Sequence, residues 1–219
     1  MERIREEELM VDPNQAFAYA QADFSIPHQA LVDRFERLFP HFKEGLVLDM
    51  GCGTADIAIR FARKYPRAKI IGVDGSPAML ALAQQRIEEN HLLASIELIK
   101  GRLPYWTYPR SFDVLISNSL LHHLPSAKEL WTSLRNLSKN GSLVLVVDLV
   151  RPDSLEKARL LTETYTQNCH PLLKRDFYNS LLASFTVEEI TEEIKVEKLP
   201  LRVEQVSDRH LMIYGVIEK

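Results

Sequence analysis

Three groups of residues in this chain carry side chains able to do chemistry. Asp49, Gly51, Cys52 and Gly53 stand together, Asp74 and Gly75 follow, and Asn118, Ser119, His122 and His123 come later. Glycines at that spacing let a backbone turn sharply and let a ligand approach it, and a carboxylate beside them favours a cationic group. An acid about 20 residues past such glycines is spaced to meet ribose hydroxyls. Histidine suits proton transfer near neutral pH. His123 is therefore the first candidate for a base or an acceptor-orienting group, and His122 the second. Adjacent histidines rarely face one centre and no further ligand cluster is visible, so no metal site is expected. Cys52 has no partner base nearby and reads as a small buried residue rather than a nucleophile.

These groups need elements to position them. Leu46 to Leu48 is an apolar run closed by Asp49, and a helical pattern with Ile57, Ile59, Phe61 and Ala62 begins after Thr54. Strand, glycine turn and helix open a doubly wound α/β domain, whose helix N-terminus offers N–H groups to an anion. A dinucleotide site would have a third glycine where Asp56 stands. Asp49 and Asp56 together would also repel a pyrophosphate. A ligand with cationic groups and one carboxylate fits better, and S-adenosylmethionine has that form.

Further strands are expected at Lys69 to Asp74, Ile96 to Lys100, Phe112 to Asn118 and Leu143 to Leu149. Ser76 is a predicted N-cap with Pro77 opening the helix to Asn90. A helix from Ser126 to Ser138 is expected to stop at a Lys139-Asn140-Gly141 turn. Asp148 is expected either to pair with Arg151 or to face the substrate pocket. Asp12-Pro13 suggests a helix start, and NQAFAYAQADF could fold over the cleft as a lid, with Tyr19 as its contact residue. Residues 152–194 read as helices, with a break at Pro171 and a capping box at Thr186 to Glu189; Arg151, Arg175 and Tyr178 are candidate substrate contacts. Residues 196–217 alternate from Val196 onward as a final antiparallel pair turning near Ser207-Asp208.

LDMGCGTAD followed by GVDGSPAML resembles the nucleotide-binding half of class I S-adenosylmethionine-dependent methyltransferases. FDVLISNSLLHHLP, with LWTSLRNLSKNGSLVLVVDL after it, extends the resemblance over roughly Leu46 to Leu149. The type it most resembles is the small-molecule enzyme of ubiquinone/menaquinone biosynthesis. The resemblance implies a Rossmann-like fold: a seven-stranded, mostly parallel sheet with helices on both faces. It implies S-adenosylmethionine as cofactor, with Met79 packed on the base and Gly101, Arg102 and Leu103 in the adenine region. Many relatives place an acid where Arg102 stands. An arginine cannot accept a hydrogen bond, so adenine contact there falls to backbone groups, with Arg102 stacked on the ring or turned outward. The D/N-P-P-Y/F arrangement of nucleic-acid amino-methyltransferases is absent.

The 219 residues suit one domain, divided into a helical lid (1–45), a cofactor-binding core (46–150), a helical insertion (151–195) and terminal strands (196–219). A net charge of −3 carries no footprint for nucleic acid. Two cysteines make no disulfide framework, and MERIREEELM lacks a signal peptide's apolar core, so a cytoplasmic location is expected. The longest apolar run, Leu143 to Val150, is too short to span a bilayer. The expected activity is methyl transfer to a small molecule; the rivals are a non-catalytic cofactor-binding regulator and a nicotinamide-dependent oxidoreductase.

Overall fold

The computed structural model describes residues 1–6 and 13–218. Strands β1 (Leu46–Met50), β2 (Lys69–Asp74), β3 (Ile96–Lys100), β4 (Phe112–Asn118), β5 (Ser138–Leu149), β6 (Leu201–Gln205) and β7 (His210–Val216) form one sheet in the order β3-β2-β1-β4-β5-β7-β6. All neighbours are parallel except those of β7, which runs antiparallel to both β5 and β6. The chain order reverses between β1 and β4, and ligands of open α/β sheets lie at the carboxyl ends of the strands beside such a reversal.

The central strands are buried on both faces, so they read as apolar runs whose alternation separates two cores. Leu48, Met50, Leu115, Val144 and Val146 face one core with Trp131 and Leu134 of α5 (Lys128–Leu137) and Ile190 of α8 (Val187–Val196). Val47, Val114, Ile116, Leu145 and Val147 face the other. There they meet α2 (Ser25–Leu38), α3 (Asp56–Lys64) and α4 (Pro77–Glu89). Phe35 of α2 meets Phe61 of α3 edge-on at 4.9 Å. An aromatic pair of this kind adds about 0.5–1.5 kcal/mol beyond its area burial and fixes α2 on the core. The N-cap at Ser76 and the Thr186–Glu189 capping box form as expected.

Several local expectations need correction. Gly141 does not end a helix: α5 stops at Leu137, and β5 begins at once with Ser138 opposite Phe112. The register then jumps, pairing Val114 with Leu143. Gly141, at φ +84°, lies in the bulge this creates, with its N–H donating to Ile217. The break between helices falls at 166–170, and Pro171 opens the second of them, α7 (Pro171–Ala183), because a proline in the first turn gives up no helical hydrogen bond. Val196 belongs to α8 and is exposed, so the terminal alternation begins only at Leu201. On α6 (Leu155–Tyr165), Ala158 and Leu161 are buried while Leu155 and Tyr165 are exposed. Asp12, the expected helix start, lies outside the described residues; α1 spans Pro13–Gln21, with Ala16 buried and Phe17 exposed.

Candidate active site

The carboxyl ends of β1, β2, β4 and β5 bring Asp49, Asp74, Asn118 and Asp148 to one side of the sheet. Asp49 is 2% exposed, and its Oδ2 has no hydrogen-bond partner. Burial, and then the nearby Asp74 carboxylate, push its acid up to about 7. A buried carboxylate with an open acceptor beside a second acid has the electrostatics to favour a cationic group.

The turn after β1 is fastened to β2. Gly51 and Cys52 donate their N–H groups to the Val73 carbonyl, and Gly53 donates to Asp74 Oδ2 at 2.9 Å. Ser76 N–H donates to Asp74 Oδ1 at 2.8 Å, and Gly75 adds a backbone hydrogen bond to the same carboxylate. Each Asp74 oxygen keeps a lone pair for a hydroxyl. The two turn glycines have different reasons. At Gly51, φ +71°, a Cβ would strike Leu120 at 2.9 Å; at Gly53, φ +52°, a Cβ would meet nothing within 4 Å. Gly53 therefore borders open space, and α3 begins just beyond it without a side-chain cap. Cys52 is buried, and burial raises its thiol well above the usual range, in keeping with a packing residue.

Asp56 has a different role from the one its position suggests. His28 Nδ1 lies 2.8 Å from Asp56 Oδ2, Arg60 Nε donates to the same oxygen at 2.7 Å, and Arg86 donates to Oδ1 at 3.0 Å. Burial alone would raise its acid, but the hydrogen bonds from His28 and Arg60 hold it below the carboxylate range. Its charge is thus met by Arg60 of α3 and Arg86 of α4, with His28 of α2 hydrogen-bonded beside them. Asp49 and Asp74 form the repulsive pair that argues against a pyrophosphate, not Asp49 and Asp56.

Of the other expected cofactor contacts, Met79 is buried beneath the start of α4. Leu103 lies in the core, and a Cβ on Gly101 would meet Trp106 at 2.5 Å, so Gly101 is needed first for packing. Arg102 is exposed. Ser119 adopts φ +54°, and its hydroxyl accepts from Asn118 Nδ2 at 3.1 Å. Tyr19 on α1 packs on Phe24, which packs on His28. Burial, then the Asp56 and Asp74 carboxylates, raise its hydroxyl to about 12. α1 is fastened to α7 by Gln15 Nε2 donating to Asp176 Oδ2 at 2.8 Å.

The histidines occupy a 3₁₀ turn, Leu121–His123, immediately after β4. His122 Nδ1 lies 2.6 Å from Asp148 Oδ1, while Asp148 Oδ2 accepts from Leu121 N–H at 2.7 Å. Burial pushes the Asp148 acid up, but the His122 imidazole more than offsets this and holds it below the usual range. His123 stacks on His122 with centroids 4.0 Å apart. Burial, and then His122, lower it to about 3, so its imidazole is neutral.

Arg151 does not pair with Asp148. It is buried, donates to the Ser184 carbonyl and is bonded to Glu189 of α8, so the helical insertion takes up its charge. Arg175 donates to Asp176 beside the Gln15 latch, and Tyr178 lies half-buried on α7. Residues 1–6 add groups that periodicity does not reveal. Arg3 donates to the carbonyls of Ala183, Pro125, His122 and Leu124, and its guanidinium lies 3.8 Å above the Phe185 ring. Glu6 reaches the histidines, with Oε2 at 3.7 Å from His123 Nδ1. Among the described residues, no helix is long and apolar enough to cross a membrane.

Residues 47–141 match a family described as a methyltransferase domain. The chain is 33% identical over 131 residues to trans-aconitate 2-methyltransferase of Deinococcus radiodurans, covering 59% of this chain and 47% of that one. It is 27% identical over 164 residues to demethylmenaquinone methyltransferase of Thermotoga maritima, covering 69% and 68% respectively. The chain spans less than half the length of the first of these and of other curated relatives like it. A solved SAM-dependent methyltransferase from Aquifex aeolicus superposes with a TM-score of 0.67 at 15% identity, over 94% of this chain and 98% of that one; this likeness establishes the fold.

Proposed function

We propose that this chain, whose residues 47–141 match a family described as a methyltransferase domain, binds S-adenosylmethionine and transfers its methyl group to a small-molecule acceptor. The observation that carries the reading is Asp49, a buried carboxylate with an unpartnered oxygen beside Asp74. A cationic ligand removes the cost of that pair, whereas a pyrophosphate would raise it. Asp49 and the Gly51–Gly53 turn would hold the methionine part, with its carboxylate toward the uncapped start of α3. Asp74 would accept from the ribose hydroxyls, and Tyr19 would close α1 over them. S-adenosylmethionine supplies a methyl group on a positively charged sulfur, already activated for displacement.

The chain's own task is then alignment and exclusion of water. His122 and His123 lie just beyond β4, and an acceptor would enter beside them. A hydroxyl or thiol acceptor suits such a pair: the neutral His123 imidazole can accept a hydrogen bond and orient it, and Asp148 fixes the orientation of the His122 ring. The helical insertion and residues 1–6 would shape the acceptor pocket, and the two cysteines are both free, as a cytoplasmic protein allows. Calorimetric titration with S-adenosylmethionine, its demethylated product and NAD(H) tests the reading. Binding of the first two but not the third is expected; binding of NAD(H) alone would overturn it.

A further inference from the structure

We propose that Glu6, His122 and His123 form a binding site for a divalent transition-metal ion, with Zn²⁺ as the type, outside the carboxyl end of β4. One donor atom from each of the three residues lies within 4.8 Å of the others. Two imidazoles and a carboxylate are a known donor set for Zn²⁺ that leaves further coordination positions open.

The separation of His123 and Glu6 suits a pair of ligands better than hydrogen-bonding partners. His123 Nδ1 and Glu6 Oε2 are 3.7 Å apart. That is too long for a hydrogen bond. It is close to the edge of about 3.4 Å between two atoms that each bind one ion at about 2.1 Å in tetrahedral geometry. His123 Nδ1 is also fully buried with no hydrogen-bond partner. A buried nitrogen in that state is costly, and an ion would complete it.

The outer groups support the same assignment. Asp148 occupies His122 Nδ1 at 2.6 Å, which leaves Nε2 as the ligating nitrogen and fixes the ring's tautomer and orientation. A carboxylate behind a ligating imidazole is the usual outer support of a bound zinc. Ser180 Oγ donates to Glu6 Oε2 at 3.0 Å and steadies the third donor. The Glu6 and His122 side chains are 8% and 3% exposed and that of His123 is 31% exposed, so protein encloses the cluster on most sides and an opening remains past His123. An acceptor oxygen or sulfur arriving through that opening would take an open position on the ion and lose its proton more readily. This role in methyl transfer rests on the reading above; the metal site itself does not.

The test uses the whole chain, stripped with chelator and titrated with Zn²⁺ by calorimetry and with Co²⁺ by visible absorption. Each sample is also titrated with the demethylated cofactor product. One ion per chain, about 100-fold weaker binding in His123→Ala and about 10-fold weaker binding in Glu6→Gln are expected, with product affinity retained. No saturable uptake by the wild-type chain would overturn the proposal, as would uptake that neither variant changes. Product binding without metal uptake removes this site and leaves the cofactor reading standing. Metal uptake without product binding does the reverse. Glu6→Gln keeps shape and hydrogen-bonding capacity, so it separates lost ligation from lost folding.

Discussion

His122 Nδ1 and Asp148 Oδ1 are 2.6 Å apart, with the two residues 3% and 1% exposed. The pair joins the ends of β4 and β5. Asp148→Asn keeps the shape but removes the charge that fixes the imidazole. Turnover is expected to fall about 100-fold or more, while affinity for the demethylated cofactor product stays within about twofold. The loss of charge-assisted bonds from Leu121 and His122 should also cost roughly 1–3 kcal/mol of stability. Kinetics beside calorimetry checks this: a variant that loses cofactor affinity but keeps its turnover would place Asp148 in the wrong subsite.

Asp49 gives a pH signature. Its acid is raised from near 3.8 to about 7. Between those values the folded chain holds a proton that the unfolded chain releases, so stability falls as pH rises through the window. The full cost, at most roughly 4 kcal/mol, is present above pH 7. Asp49→Asn should therefore melt higher than wild type at pH 8 without ligand, and lose that advantage near pH 4. In the wild type, cofactor affinity should climb as pH rises toward 7, with a proton released on binding. Calorimetry in buffers of different ionisation enthalpy measures that proton, and affinity unchanged from pH 5.5 to 8 would exclude Asp49 as the cation's partner.

Asp74→Ala removes the acceptor of both Gly53 and Ser76 N–H groups as well as the proposed ribose contact. Cofactor affinity is expected to fall by about 1.5–3 kcal/mol, roughly 10- to 150-fold. Affinity equal to wild type in calorimetry would refute the assignment.

Arg3 ties the chain's first residues to four backbone carbonyls, among them those of His122 and Leu124. Arg3→Ala should release residues 1–6 from the histidine turn. Faster amide exchange at Ile4, whose N–H donates to Leu182, and at the 3₁₀ turn is expected, together with lower turnover and nearly unchanged cofactor-product affinity. Unchanged exchange at both places would show that Arg3 does not hold the segment.

Much of this molecule can be read along the chain because the physics is local. Apolar runs define β1, β2, β4 and β5, since a strand buried on both faces has no polar side to show. Glycines followed by a helical stripe locate the turn before α3, and Ser76 and Thr186 announce their helices by side-chain chemistry alone. Gly141 misled for the opposite reason: positive φ serves a helix stop and a strand bulge equally, and the pairing of Ser138 with Phe112 decides between them.

The sequence by itself determined the α/β order, the acids at strand ends and the histidines after β4, because each is a short pattern with one stable backbone solution. Only the tertiary structure decided who partners whom. It turned Asp56 from a repelling charge into the centre of a cationic network, gave Arg151 to Glu189 rather than Asp148, and brought Glu6 to His122 and His123. Those pairings join residues far apart in the chain, where spacing carries no information. They form because burial makes an unpartnered charge or polar atom costly wherever the fold happens to bring it.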